Sequence, residues 1–238
     1  MKAEQITESI NDKGIFKAIF FAGLPGAGKS TVAQRVTDGA VSPRIVNTDR
    51  SYEFLLKKYG DVAGPAAWGM LGDASKTINS NLLVNYLNGM LPIFVDGTSA
   101  NPSAAMRRAG IAESLGYDTA MIWVDVTYET ALARIQKRER KVDPEFVKHV
   151  YESIEGNKEL YRGRFGKNFI EVDNNSDNFN IMEGQVFNAT SRFFTENVTN
   201  AIGQRLVESM KESGEKYLVP SVYTMEYIQK VVSVWYMG

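Results

Sequence analysis

The stretch IFFAGLPGAGKSTVAQRV, residues 19–36, runs from an apolar segment into three glycines and then directly into a lysine and two hydroxyl residues. With the residues before it, the apolar part reads IFKAIFFA (15–22), β-branched and aromatic with little alternation. That pattern predicts a strand buried on both faces. The continuation KSTVAQRVTDG has helical composition and a glycine stop. Between the two, Gly23-Leu24-Pro25-Gly26-Ala27-Gly28-Lys29-Ser30 fits the pattern G-x-x-x-x-G-K-[ST]. A phosphate cradle requires these residue types. Glycines let successive backbone N–H groups turn inward on phosphate oxygens, and the helix opening there adds the partial positive charge of its N-terminus. Lys29 is placed for the β- and γ-phosphates and the Ser30 hydroxyl for Mg²⁺. Gly23, Gly26, Ala27, Gly28, Lys29, Ser30 and Thr31 are therefore the candidate nucleotide-binding residues, with ATP and Mg²⁺ the expected ligands.

The bulk composition narrows the remaining classes. The chain has 238 residues, 44% hydrophobic and 23% charged, with a formal net charge of −1. Those values suit a globular protein with no global attraction to nucleic acid or to a membrane surface. There are no cysteines, so disulfides, thiolate catalysis and Cys-based zinc sites are excluded, and the single His149 excludes a histidine cluster. No window holds the roughly 20 apolar residues of a membrane span, and the polar, acidic first fourteen residues resemble no signal peptide. A cytoplasmic protein with no membrane partner is expected.

Further strands are expected at 42–49, 91–96, 118–126 and 169–175, alternating with helices at 51–60, 73–89, 101–116, 127–141 and 143–161. Residues 61–72 are rich in small side chains and read as loop. The alternation predicts an α/β fold, a five-stranded parallel sheet flanked by helices, with ligands at the carboxyl ends of the strands. Asp49, Asp96 and Asp125 fall there. Beyond residue 180 the character changes. An apolar stripe through Val186, Phe187, Phe193, Phe194, Val198, Ile202, Leu206 and Met210 reads as one helix over 186–213, and 219–238 as a further apolar helix or strand. The expected organisation is a P-loop domain over 1–180 and a C-terminal helical extension over 181–238. The extension would pack on the core or serve as an interface, which makes it the candidate surface for a homo-oligomer.

The ordered series GLPGAGKST, VNTD, FVDGTSANP and WVDVTYETALARIQKRERKVDPEFVKHVYESI resembles the kinase domain of bacteriophage-type polynucleotide 5′-kinases, and is similar to the zeta-toxin kinases. The likeness covers about residues 15–175. It implies a P-loop kinase fold and ATP-dependent transfer of a γ-phosphate to a hydroxyl. Lys29 would be catalytic as well as nucleotide-binding. Asp49 would be the general base on the acceptor hydroxyl, as suits a carboxylate opposite the γ-phosphate. Strand two is expected to end beside strand one. Asp96 would lie near Mg²⁺, which Ser30 also ligates, or near the acceptor, with Thr98 next to it. Arg134, Arg138 and Arg140 resemble the lid whose arginines close over the triphosphate. Arg138 and Arg140 are equal candidates for stabilising charge on the transferring group, and Arg134 for holding the nucleotide. Asn174 and Asn175, in VDNNSDN, match the loop that borders the adenine.

One departure concerns the acceptor. The phage enzymes carry an arginine three residues after the base, for a phosphate of the acceptor strand, and this chain has Tyr52 there. Arg50 is the available substitute, and Tyr52 could stack on a nucleobase. The family's appended phosphatase motif D-x-D-G-T is absent. The acceptor expected first is a hydroxyl on nucleic acid, either a polynucleotide 5′-OH or a hydroxymethylated base such as 5-hydroxymethyluracil in phage DNA. In that case the protein would work in the cytoplasm of an infected host. A small-molecule kinase of nucleotide sugars or nucleosides, and an NTP-dependent switch, are the alternatives.

Overall fold

The structure is a computed structural model that describes residues 14–36, 41–59, 65–137, 143–175, 179–213 and 224–236. The elements are β1 (Lys17–Ala22), α1 (Lys29–Val36), β2 (Arg44–Val46), α2 (Thr48–Tyr59), α3 (Pro65–Asn88), β3 (Ile93–Val95), α4 (Pro102–Ser114), β4 (Asp118–Asp125), α5 (Tyr128–Gln136), α6 (Pro144–Ile154), α7 (Asn157–Phe165), β5 (Phe169–Asp173), α8 (Phe179–Thr195), α9 (Ala201–Ser213) and α10 (Met225–Trp235). The five strands form one sheet in the order β2-β3-β1-β4-β5, and every pairing is parallel. This is the expected α/β architecture. One adjacency differs from expectation: β3, not β2, lies against β1, and β2 pairs on the far side of β3.

β1 is buried along its whole length, as its unalternating composition demands. Neighbouring residues of a strand point to opposite faces. Phe20 accordingly meets Phe165 of α7 and stacks on Trp235 of α10. Phe21 meets Phe94, which in turn packs on Phe194 of α8. Helices thus cover both faces. Val186, Phe193, Phe194, Leu206, Met210, Ile228, Val232 and Trp235 belong to the same hydrophobic core as the strands. Residues after 180 therefore fill the interior of the nucleotide-loop fold.

Three element boundaries depart from the periodic reading. α3 begins at Pro65 and so includes much of the stretch expected as loop. A proline suits a first helical turn, and Gly69 and Gly72 are carried inside the helix despite their weak propensity. α3 is held to α2 by the buried hydrogen bond from Asn79 Nδ2 to Ser51 Oγ (2.7 Å). The helix expected over 143–161 breaks between Ile154 and Asn157. The break brings the buried Asn157 to the Ala100 carbonyl (2.8 Å). The helix expected over 186–213 is two, α8 and α9. Between them Thr199 and Asn200 turn to meet Asp118 at the amino end of β4, and the Asn200 side chain accepts from the Ile202 and Gly203 N–H groups at the start of α9.

That contact encloses a buried ion pair. Lys17 Nζ donates to Asp118 Oδ2 at 2.7 Å, with side chains only 2% and 7% exposed. Asp118 also accepts from the Thr199 N–H (2.9 Å), the Thr199 hydroxyl (2.7 Å) and the Asn200 N–H (2.8 Å). Lys17 Nζ lies 5.1 Å from the centre of the Phe193 ring and donates to the Asn197 carbonyl at 3.3 Å. Burial pushes the Asp118 carboxyl up, but the hydrogen bonds from Lys17 and Thr199 outweigh it and hold the group below its ordinary value.

Candidate active site

The glycine-rich loop joins β1 to α1 at the carboxyl edge of the sheet. Gly23, Gly26 and Gly28 all have positive φ (137°, 85° and 89°). At Gly23 a Cβ would come 2.4 Å from the Val124 carbonyl oxygen. At Gly28 it would come 2.5 Å from Asn174 Nδ2. Both positions therefore require glycine for conformation and for space. The Gly23 N–H donates to the Thr98 carbonyl (3.1 Å), which ties the loop to the segment after β3. Lys29 Nζ donates to the carbonyls of Gly23 (2.9 Å) and Leu24 (2.8 Å), so its ammonium is already curled over the loop. Ala27 is buried, and Ser30 and Thr31 are exposed on the first turn of α1.

Asn174 has a different role from the one its motif suggested. It is buried at 8% exposure, and its Nδ2 donates to the Ala27 carbonyl (2.7 Å) while its N–H donates to the Asp125 carbonyl (2.8 Å). It braces the loop from behind. Asn175 pairs with Asp173 (2.6 Å) and accepts from the Thr127 N–H (2.6 Å) at the start of α5. Removing the Asn174 amide leaves a buried carbonyl without its donor, which costs about 1–3 kcal/mol. Asn174→Ala is expected to lower unfolding stability by that amount in urea titration and to weaken ATP binding about tenfold by calorimetry. An unchanged ATP affinity would remove the bracing role.

The three strand-end carboxylates part company. Asp125 is engaged by Lys158 Nζ (2.7 Å), which also pairs with Glu171. Asp96 stands 3.5 Å from the Ser30 hydroxyl through Oδ2, and the same oxygen accepts from Asn47 Nδ2 at 2.7 Å. The two residues expected at Mg²⁺ are thus together. Asp49 is exposed on the first turn of α2, and its N–H donates to Asn47 Oδ1 (2.7 Å). The Arg50 N–H reaches the same oxygen at 3.3 Å. Asn47 is the residue the sequence reading missed. It caps α2 and holds Asp96 at once, joining the base candidate to the carboxylate expected near Mg²⁺. Its signal was present as an Asn two residues before Asp49, in a preferred cap type.

The other expected residues separate. Tyr52 is buried (7% exposed), which takes its ring out of reach of the base it was expected to stack on. Arg50 is exposed. Thr98 is half-buried, its hydroxyl 3.4 Å from the Ala100 N–H. Arg134 is half-buried on α5, the helix whose Ala131 carbonyl closes on Gly26. Its Nη1 is buried with no hydrogen-bond partner among the described residues. Arg138 and Arg140 lie outside the described residues. Among the described residues there is no group of three acidic or histidine side chains able to hold a metal unaided, and no helix long and apolar enough to cross a membrane.

Comparison with known proteins places this geometry. A candidate kinase from Chloroflexus aurantiacus J-10-fl is similar in fold, with a TM-score of 0.54 at 15% identity over 73% of this chain and 96% of that one. Shikimate kinase from Acinetobacter baumannii gives 0.46 at 14% identity (73% and 92%). A gluconokinase from Sinorhizobium meliloti 1021 gives 0.45 at 13% identity (84% and 99%). No curated protein matches the sequence. The family model described as AAA domain matches residues 19–157, from β1 into α7. That span exceeds half of the chain and holds the glycine loop, Asn47, Asp49 and Asp96, and the protein belongs to the AAA domain family.

Proposed function

We propose that the protein is an ATP-dependent kinase that transfers the γ-phosphate to a hydroxyl on nucleic acid. The observation that carries the kinase reading is the Ser30–Asp96–Asn47 cluster, with Asp49 on the adjoining turn. A switch needs a phosphate loop. It does not need a second carboxylate fixed on the acceptor side. The fold likeness to the Chloroflexus protein supports the same class.

The residues present fit both nucleotide and ion. The loop presents backbone N–H groups and Lys29 to the triphosphate. Ser30 and Asp96 offer the hard oxygen donors that Mg²⁺ prefers, and a site with so few protein ligands relies on phosphate and water for the rest. The ion's contribution is to neutralise charge on the phosphate oxygens. Asp49 accepts the proton of the attacking hydroxyl. Arg134, with its orphaned Nη1, has a donor to give to the nucleotide. Arg138 and Arg140 remain candidates for the lid.

The outer face of α2 favours a nucleic-acid acceptor. Arg50, Phe54 and Lys57 recur at i, i+4 and i+7, and all are exposed, as are Lys58 and Tyr59. Phe54 and Tyr59 are each 59% exposed, and Lys58 Nζ lies 5.3 Å from the Tyr59 ring centre. Cations and aromatic faces leading away from Asp49, with the single acid Glu53 among them, suit a strand whose bases stack and whose phosphates pair. The experiment is phosphate transfer from γ-³²P-ATP with Mg²⁺ to separate acceptors: 5′-hydroxyl oligodeoxynucleotide, hydroxymethyluracil DNA, RNA, and a pool of nucleotide sugars. Label on a nucleic acid is expected. Label confined to the sugars would overturn the acceptor class and leave a small-molecule kinase, for which the net charge of −1 speaks.

A further inference from the structure

Arg108 of α4 is a cation that neither the loop nor the base accounts for. Its Nε donates to the Trp235 carbonyl at 2.9 Å, and its guanidinium carbon lies 5.8 Å from the centre of the Tyr236 ring. Tyr161, whose hydroxyl donates to the Ser99 carbonyl (2.6 Å), faces it from α7, and Arg107 precedes it. The Nε bond is the one hydrogen bond Arg108 makes among the described residues, and it has no carboxylate partner among them. Arg108 is half-buried, and a partly dehydrated cation with no carboxylate beside it leaves its terminal nitrogens open to an anion. Burial lowers its affinity for a proton, with Arg107 adding to the effect against the two tyrosines.

The second observation is Tyr236 itself. Its hydroxyl is buried and has no hydrogen-bond partner at standard geometry, although Thr48 lies beside it. Burial pushes this phenol up to about 12, so it stays a donor at any working pH. Buried polar groups without partners are few in native proteins, and each calls for an explanation such as a ligand or ion. The position is informative. Long side chains on a helix lean toward its N-terminus. α4 starts at the loop after β3, so Arg108 leans back toward the carboxyl edge of the sheet. Thr48 precedes Asp49. One tyrosine therefore spans from Arg108 to the turn that carries the proposed base.

We propose that Arg108 and the end of α10 form an anion subsite of the acceptor cleft, taking a phosphate ester of the acceptor close to the hydroxyl that is phosphorylated. Arg108 supplies the terminal nitrogens of its fork, and the Tyr236 hydroxyl supplies a further donor. The Trp235 carbonyl fixes the fork through Nε. The subsite rests on the kinase reading above and does the work that an arginine at the position of Tyr52 would otherwise do. It also gives the C-terminal helix a part in choosing the substrate.

Two measurements on the full chain test it. The first compares thymidine 3′-monophosphate with thymidine as acceptors. The wild type is expected to prefer the phosphorylated acceptor roughly 100-fold, mainly through KM, as suits charge-assisted bonds. The preference should collapse to roughly threefold or less in Arg108→Gln, recover in part in Arg108→Lys, and fall about tenfold in Tyr236→Phe, which keeps the ring and its packing. The second is calorimetric titration with inorganic phosphate, the loop being filled by Mg²⁺ and a non-hydrolysable ATP analogue. Binding by the wild type that Arg108→Gln abolishes, with thermal unfolding retained, supports the subsite. This holds even if no nucleotide is phosphorylated, in which case the nucleic-acid reading falls alone. Absence of phosphate binding by the wild type, or a preference and affinity that survive in Arg108→Gln, overturns it.

Discussion

Asp49→Ala is expected to lower kcat about 1,000-fold while leaving the affinity for ATP unchanged. General-base catalysis by a positioned side chain contributes about 10²- to 10⁴-fold, and Asp49 has the positioning. Asn47 fixes its backbone through the 2.7 Å bond from the Asp49 N–H and, through Asp96, ties it to the Ser30 hydroxyl. The side chain is exposed, so the substitution leaves no buried hole. It does remove a favourable negative charge from the first turn of α2, for about 0.3–1 kcal/mol. Thermal unfolding run beside the kinetics separates that small loss from the catalytic one. Asp49→Asn serves as the isosteric control and should behave like Asp49→Ala. A drop of less than tenfold in both variants would remove Asp49 as base and bring the switch reading forward.

Asp118→Ala is expected to cost about 3–5 kcal/mol, the range for leaving one member of a buried ion pair alone. The variant strands the Lys17 ammonium at 2% exposure and takes away the acceptor for three groups of the α8–α9 connection. Urea unfolding at neutral pH measures the loss directly. The pH dependence has a fixed sign. The Asp118 carboxyl titrates below its ordinary value in the folded state, burial opposing and the Lys17 and Thr199 bonds prevailing. Its stabilisation is therefore complete above the ordinary carboxylate pKa, and is lost as pH falls through the lowered folded value. The variant should lack that acid-side component. A loss under 1 kcal/mol, or an unchanged acid limb, would contradict the assignment. Replacing both partners by apolar residues, as in Lys17→Met with Asp118→Leu, should recover part of the cost.

What could be read from the chain alone was what local pattern encodes. A strand buried on both faces, a glycine loop and a helix start are written in consecutive residues, and so the sheet and the placement of Lys29, Ser30, Asp49 and Asp96 beside its strand ends were legible. What could not be read depends on partners far away in sequence. Asn174 looked like an adenine neighbour because it sits in a polar loop, but its amide is committed to Ala27, 147 positions earlier. Tyr52 occupies a position where the phage enzymes that this sequence resembles use a cation, and only the fold reveals that its ring is buried. The stripe over 186–213 has helical period throughout, yet the demand of Asp118 for donors breaks it at Thr199 and Asn200. α3 likewise begins at Pro65, inside a stretch whose small side chains read as loop.

The strand order works as a ruler. Neighbouring strands lie about 4.8 Å apart, so the strand feeding Asp49 stands roughly 10 Å from the strand feeding the glycine loop, with the strand of Asp96 between them. Across the sheet edge, the glycine loop, Asp96 and the proposed base follow one another at that spacing. Had β2 lain directly against β1, the base would sit one spacing from the loop, with no width left for a terminal phosphate and an incoming oxygen in line. The intervening strand is therefore a spacer as well as a source of Asp96. Lengthening or bulging β3 should shift the relative reach of the two sides of the reaction without touching a single reacting group.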